Sequence, residues 1–168
     1  MRRILNFRRE PFKTSVNKCS LNSTLYGYVR DANGEVDVFG LAVQWVNPFS
    51  LNFSQRTMSR HTKNCISLKD TTESMKGYGY DLSKGDPLNV MDVDGQLISY
   101  DNRRLLAAQN AELKKVPINV VNPDDVHPDS TTGKTWRQQF DKRRNDKRNR
   151  ASGGSVPEQG LKAKPLCK

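Results

Sequence analysis

The chain has 168 residues, 35% of them hydrophobic and 27% charged, with a net charge of +10, a pI near 9.7 and a mean hydropathy of −0.79. That apolar content supplies material for one modest core, and the positive excess favours nucleic acid or another polyanion as partner. No apolar run approaches the roughly 20 residues of a membrane span, and the basic N-terminus has no hydrophobic region behind it to make a signal peptide.

Residues 1–24 carry Arg2, Arg3, Arg8, Arg9, Lys13 and Lys18 against Glu10, with few apolar positions, and read as a loose basic arm. Residues 25–42 form two short β-like runs around Asn33-Gly34, a dipeptide that accepts the positive φ values of a tight turn. Further on, alternation of Leu51 and Phe53 predicts a strand, and Gln55, Arg56 and Thr57 at its end are polar groups suited to facing a ligand. A helix is predicted over 67–76, with Ser67 as its cap and Leu68, Thr72 and Met75 roughly on one face. The glycines of 77–87 then make a connector.

Asp94-Gly95 between β-rich runs signals a two-residue hairpin, with strands near 88–93 and 96–100. Asp101 stands where an N-cap is expected, and 102–113 reads as a helix rich in Leu and Ala. Arg103 and Arg104 then fall in the first turn, where the helix dipole disfavours cations by roughly 0.3–1 kcal/mol each. A bound phosphate or carboxylate would reverse that sign, because guanidinium donors and free helix amides would converge on one anion. Pairing of both arginines with Asp92 or Asp101 is the alternative. Val116 to Val121 is the returning strand.

The loop 122–129 is acidic and punctuated by prolines; Asp124, Asp125 and Asp129 are the kind of oxygen donors that hold a divalent cation, and His127 is a candidate general acid or base. Lys134 and Thr135 open a last helix with Trp136 and Phe140 on one face; Gly133-Lys134-Thr135 lacks the preceding glycine pattern of a phosphate-binding Walker loop. From Lys134 to Lys168 there are 11 Lys and Arg against three acids, a cluster suited to neutralising phosphates, and the glycines and prolines of 151–168 predict a flexible tail. Cys19, Cys65 and Cys167 are odd in number and widely spaced, which argues against a disulfide framework, and with only His61 and His127 no zinc-ligand spacing exists, so no structural metal site is expected.

Residues 25–42 resemble the end of the conserved core of Rhs-type polymorphic toxins. Tyr26-Gly27-Tyr28-Val29, Asp31, Asn33-Gly34, Asp37 and Gly40-Leu41-Ala42 match that pattern, while Ala32 and Val38-Phe39 depart from it. The resemblance implies that this stretch is a linker and that the chain beyond it is a toxin tip. A second resemblance, over roughly 51–122, is to the ParB/sulfiredoxin-like fold, in which a hairpin is followed by an Arg-Arg-Leu-x-Ala-Ala helix and an apolar strand. Asp101, Arg103, Arg104, Leu105, Ala107 and Ala108 match in kind, as does Val116-Pro117-Ile118, although Asn102 stands where the family often has a glycine plus one more residue. That family includes partition proteins that bind CTP, nucleases and phosphoryl-transfer enzymes, so the fold alone leaves the activity open.

Together these readings predict an α+β domain, a small mixed sheet with a hairpin and packed helices, over 43–150, flanked by flexible basic segments. The function they imply is that of an antibacterial toxin tip that binds and cleaves nucleic acid. Arg103 and Arg104 would clamp the scissile phosphate, Asp101 would hold the arginine turn and His127 would move a proton. Gln55, Arg56, Asn102, Lys134, Trp136, Arg137, Lys142, Arg143, Arg144, Lys147 and Arg148 would bind the substrate. RNA and DNA, and a divalent cation such as magnesium as cofactor, stay open. Expected partners are nucleic acid and a cognate immunity protein, with the tip a monomer, secreted to act in the target-cell cytoplasm, or cytoplasmic as an orphan fragment. The alternatives are a nucleotide-binding ParB-like module with NTPase or phosphotransfer activity, and an inactive remnant that only binds polyanions.

Overall fold

A computed structural model describes residues 43–62 and 66–168; the arm expected at 1–24 and the linker at 25–42 lie outside the described residues. In chain order the elements are strand β1 (Gln44–Val46), a 3-10 turn (Pro48–Ser50), β2 (Asn52–Phe53), β3 (Thr57–Met58), helix α1 (Leu68–Tyr78), β4 (Leu88–Val93), β5 (Gln96–Ser99), α2 (Asn102–Asn110), β6 (Val116–Val120), α3 (Trp136–Arg144), the short α4 (Lys147–Arg150) and β7 (Leu166–Cys167). The class is the mixed α+β one that the sequence predicts.

Five strands make one sheet in the order β1-β6-β4-β5-β2. Its centre is the hairpin, turned by Asp94 at φ 53° and Gly95 at φ 79°, the pair of left-handed residues that matches the twist of the flanking strands. The two strands pair antiparallel, Met91 opposite Ile98. β6 then lies parallel to β4 with Asn89 beside Asn119, a return that needs a crossover, supplied here by β5 and α2. Alternation along β4 sends Leu88 and Val90 into a core with Met75, Leu105 and Leu106, while Met91 joins Ile98, Val121, Trp136 and Phe140 on the other side. The sheet therefore separates α1 and α2 from α3.

Local chemistry sets the helix ends. Ser67 Oγ accepts the Asp70 N–H at 3.0 Å, and α1 runs on to Tyr78, where Gly79 at φ 74° stops it. α2 ends at Asn110, short of the predicted 113, because Glu112 turns the chain at φ 56° toward β6. Thr135 caps α3 in a reciprocal box with Gln138.

The C-terminal residues overturn the expectation of a flexible tail over 151–168. β7 pairs in parallel with β3, Thr57 beside Leu166, and Phe53 and Leu161 exchange backbone hydrogen bonds of 2.7 and 2.9 Å. Val156 is buried, and a side chain at Gly160 would meet Asn52 Cβ at 2.8 Å and the Phe53 carbonyl at 2.9 Å. Backbone pairing needs no apolar side chains, so a segment rich in Gly, Pro and Lys is ordered without the pattern that announces a strand.

Candidate functional site

The site is built around the start of α2. Asp101 occupies the N-cap position, but its side chain makes no cap hydrogen bond. Its Oδ2 instead accepts the Asn89 backbone N–H at 2.9 Å and pairs with Arg104 Nη2 at 2.9 Å. Arg104 Nη1 donates to Tyr80 Oη at 3.1 Å and to the Asp86 carbonyl. Burial opposes the charge on Arg104, but Asp101 and Tyr80 outweigh it, and the guanidinium is held more firmly protonated than usual. Burial also pushes the Tyr80 hydroxyl up to about 12.

Arg103 goes elsewhere. Its guanidinium donates to the carbonyls of Arg60 and His61, each at 2.9 Å, and to that of Ser59. Consecutive helical residues project about 100° apart, so the two guanidiniums take different protein partners, although both line one cavity between α1 and the start of α2. Asn102, expected to touch substrate, is buried inside the fold. Its Oδ1 accepts the Ser54 N–H at 2.8 Å, and its Nδ2 reaches Ser54 Oγ at 2.8 Å, Tyr100 O at 3.2 Å and Gln55 Oε1 at 3.3 Å.

His127 is not a solvent-facing loop residue. It is 5% exposed, its ring 4.2 Å from that of Trp136 and 5.0 Å from that of Tyr100. The loop folds inward because His127 N–H bonds Lys134 O and Trp136 N–H bonds Asp125 O, both at 2.9 Å. His127 Nδ1 accepts the Asp129 N–H at 3.1 Å, so the neutral ring carries its proton on Nε2. That Nε2 is buried without a partner. The exposed loop ring expected from the sequence is therefore a buried one, with Nδ1 engaged as an acceptor.

Two cavities adjoin here. One, of about 630 Å³, brings together Asp101, Arg104 and His127 with Asn89 and Asn119. The other, of about 220 Å³, is lined by Gln55, Lys142, Arg143 and Arg148 with Asp146. Tyr100 lines both, and Arg143 lies across its ring, 3.5 Å from the centre, while donating to its carbonyl. A third cavity, of about 390 Å³, separates α1 from the start of α2 and touches Arg103 and Arg104.

Of the remaining expected contacts, Lys142, Lys147 and Arg148 are exposed along α3 and α4, and Arg137 is exposed 3.9 Å from Asp124. Others serve the fold instead. Arg144 is buried and paired with Asp141 and, at 3.7 Å, with Glu158. Arg56 ties the C-terminal segment down through Gly154 O at 2.9 Å and Ser155 O at 3.3 Å. Trp136 is a core residue, 7% exposed. Among the described residues no three His, Cys, Asp or Glu side chains gather within reach of one metal ion.

Sequence reasoning missed Tyr100, Asn89 and Asn119. The available signal was a pair of asparagines interrupting two apolar strands, Leu-Asn-Val and Ile-Asn-Val, at neighbouring registers. Compared with protein-family models, curated proteins and solved structures, the chain matches none.

Proposed function

We propose that this chain is the tip of an Rhs-type polymorphic toxin that binds nucleic acid and cleaves its phosphodiester backbone, and that α1, the hairpin, α2 and β6 form a ParB/sulfiredoxin-like domain. The observation that carries the reading is the position of Tyr100, shared between a cleft with three cations and a cavity with Arg104 and His127. Lys142 and Arg148 neutralise backbone phosphates along α3 and α4. Arg104, kept charged and oriented by Asp101, stabilises charge developing on the phosphate that enters the neighbouring cavity. His127 lines the same cavity as Arg104. In this reading the tip acts in the cytoplasm of a target cell and its producer carries an immunity protein against it.

Incubation of the purified chain with tRNA, rRNA and plasmid DNA, with and without magnesium, tests the proposal. Cleavage is expected, lost in Arg104→Ala while binding to the same nucleic acid persists. Intact substrates under every condition would leave a polyanion binder without nuclease activity. Growth inhibition that Arg104→Ala abolishes while nucleic acids stay whole would point instead to a nucleotide-handling module.

A further inference from the structure

Resting on the nucleic-acid reading above, we infer that the larger cavity beside Tyr100 receives an unpaired base whose pairing edge sets an exocyclic amino group beside an unprotonated ring nitrogen, adenine or cytosine, so that the substrate is single-stranded or locally opened. The two cavities differ in sign. The larger is lined by four carboxylates, Asp86, Asp101, Asp125 and Asp129, and by one guanidinium, Arg104, which Asp101 already pairs. The smaller has Lys142, Arg143 and Arg148 against Asp146. The run of backbone phosphates belongs in the smaller, and the larger, beyond the one phosphate that Arg104 meets, selects a neutral group rich in donors.

Two amides give that selection a shape. Asn89 and Asn119 sit side by side on parallel strands; Asn119 Nδ2 donates to Asn89 Oδ1 at 2.9 Å, and Asn89 Nδ2 leans on Asp101 Oδ2 at 3.4 Å. This chain of bonds fixes the direction of both amides. It leaves exposed Asn119 with an oxygen acceptor and a second N–H unengaged among the described residues. Asn119 alone could pair with the edge of several bases, and the carboxylates of the lining decide among them: an exocyclic amino group satisfies them, whereas the O4 carbonyl of uracil or thymine does not. At about 630 Å³ the cavity has the volume of a small-ligand site. Bases in a duplex hide the edges that such a concave site would read, and only an unpaired base reaches it.

Fluorescence anisotropy with short labelled oligo(rA), oligo(rC), oligo(rU) and an rA·rU duplex tests this on the full chain. The A and C strands are expected to bind about fivefold or more tighter than the U strand and the duplex. Asn119→Leu, on an exposed residue, should bring them down to the level of the U strand, whereas Lys142→Gln/Arg148→Gln should weaken all of them alike. Equal affinities for the three strands with steep salt dependence would overturn base readout and leave nucleic-acid binding standing. A preference that survives Asn119→Leu, or tighter binding of the duplex, would also overturn it. Binding to none of the four would overturn both readings.

Discussion

The guanidinium of Arg143 lies 3.5 Å from the centre of the Tyr100 ring and donates to the carbonyl of that same residue. One arginine thereby fastens α3 to the end of the hairpin through the ring face and the backbone at once. The contact uses the ring and not the phenol, so Tyr100→Phe should leave stability and polyanion affinity within about 0.5 kcal/mol of wild type. Tyr100→Ala should cost about 2–4 kcal/mol, the lost aromatic packing plus a cation–π contact of roughly 0.5–2 kcal/mol. Urea unfolding of the two variants checks the difference.

Tyr80 gives the chain an alkaline weakness. Its hydroxyl is pushed by burial from 10.0 to about 12, so the folded protein keeps a proton that the unfolded chain gives up. Between those pH values the unfolded state binds fewer protons, and stability falls as pH rises. The share due to Tyr80 is fully present below about pH 10 and lost through about pH 12. Tyr80→Phe should remove up to about 2 kcal/mol of that alkaline decline, after allowance for partial exposure. Its cost at neutral pH, with the bond to Asp86 O gone, is about 1 kcal/mol. Thermal melts of both proteins from pH 8 to 12 supply the comparison.

Asn102 separates a structural role from a binding role. Removal of its amide in Asn102→Ala strands the Ser54 N–H and Oγ in the interior and should cost about 2–4 kcal/mol. Polyanion affinity of the folded fraction should not change. Calorimetry beside a binding titration distinguishes that result from a direct substrate contact, for which affinity would fall without loss of stability.

Gly160 at φ 74° has two neighbours inside 3 Å of any added Cβ, whereas Gly95 at φ 79° has none within 4 Å. Alanine at Gly95 should cost about 1 kcal/mol, from backbone strain alone. Alanine at Gly160 should cost roughly 3 kcal/mol or more, since the backbone of Phe53 has no room to yield. Chemical denaturation midpoints rank the two.

On the basic face, Lys142→Gln and Arg148→Gln should each lower the log–log salt slope of nucleic-acid binding by about one unit. Arg144→Gln should instead unfold the protein at lower denaturant, because Arg144 is buried against Asp141. Binding isotherms at several salt concentrations, with unfolding curves, assign each arginine.

What was legible along the chain was local. Asp94-Gly95 announced its hairpin, Ser67 and Thr135 their caps, and Val116-Pro117-Ile118 its strand, since each acts through residues within a few positions. The partners of the arginines were illegible because they are mostly backbone carbonyls: Arg103 takes those of Ser59, Arg60 and His61, and Arg56 those of Gly154 and Ser155. A carbonyl has no identity in a sequence, so a satisfied arginine reads the same as a free one. His127 was misplaced for a related reason. Only the closure of its loop onto Trp136 buries a ring that its proline and aspartate neighbours mark as exposed.

The clasp between β3 and β7 has a kinetic meaning. It pairs Thr57 with Leu166, and the bond from Asn52 to the Gln159 carbonyl just before it already spans 107 positions; so long a loop must close before its contacts repay the lost entropy. The two-stranded sheet, separate from the main one, is small enough to be marginal by itself. Assembly of this domain therefore ends with the C-terminal segment, and local opening begins there. The amides of Leu166 and Lys168 should exchange with solvent well before that of Val90, making the last strand to arrive the first to leave.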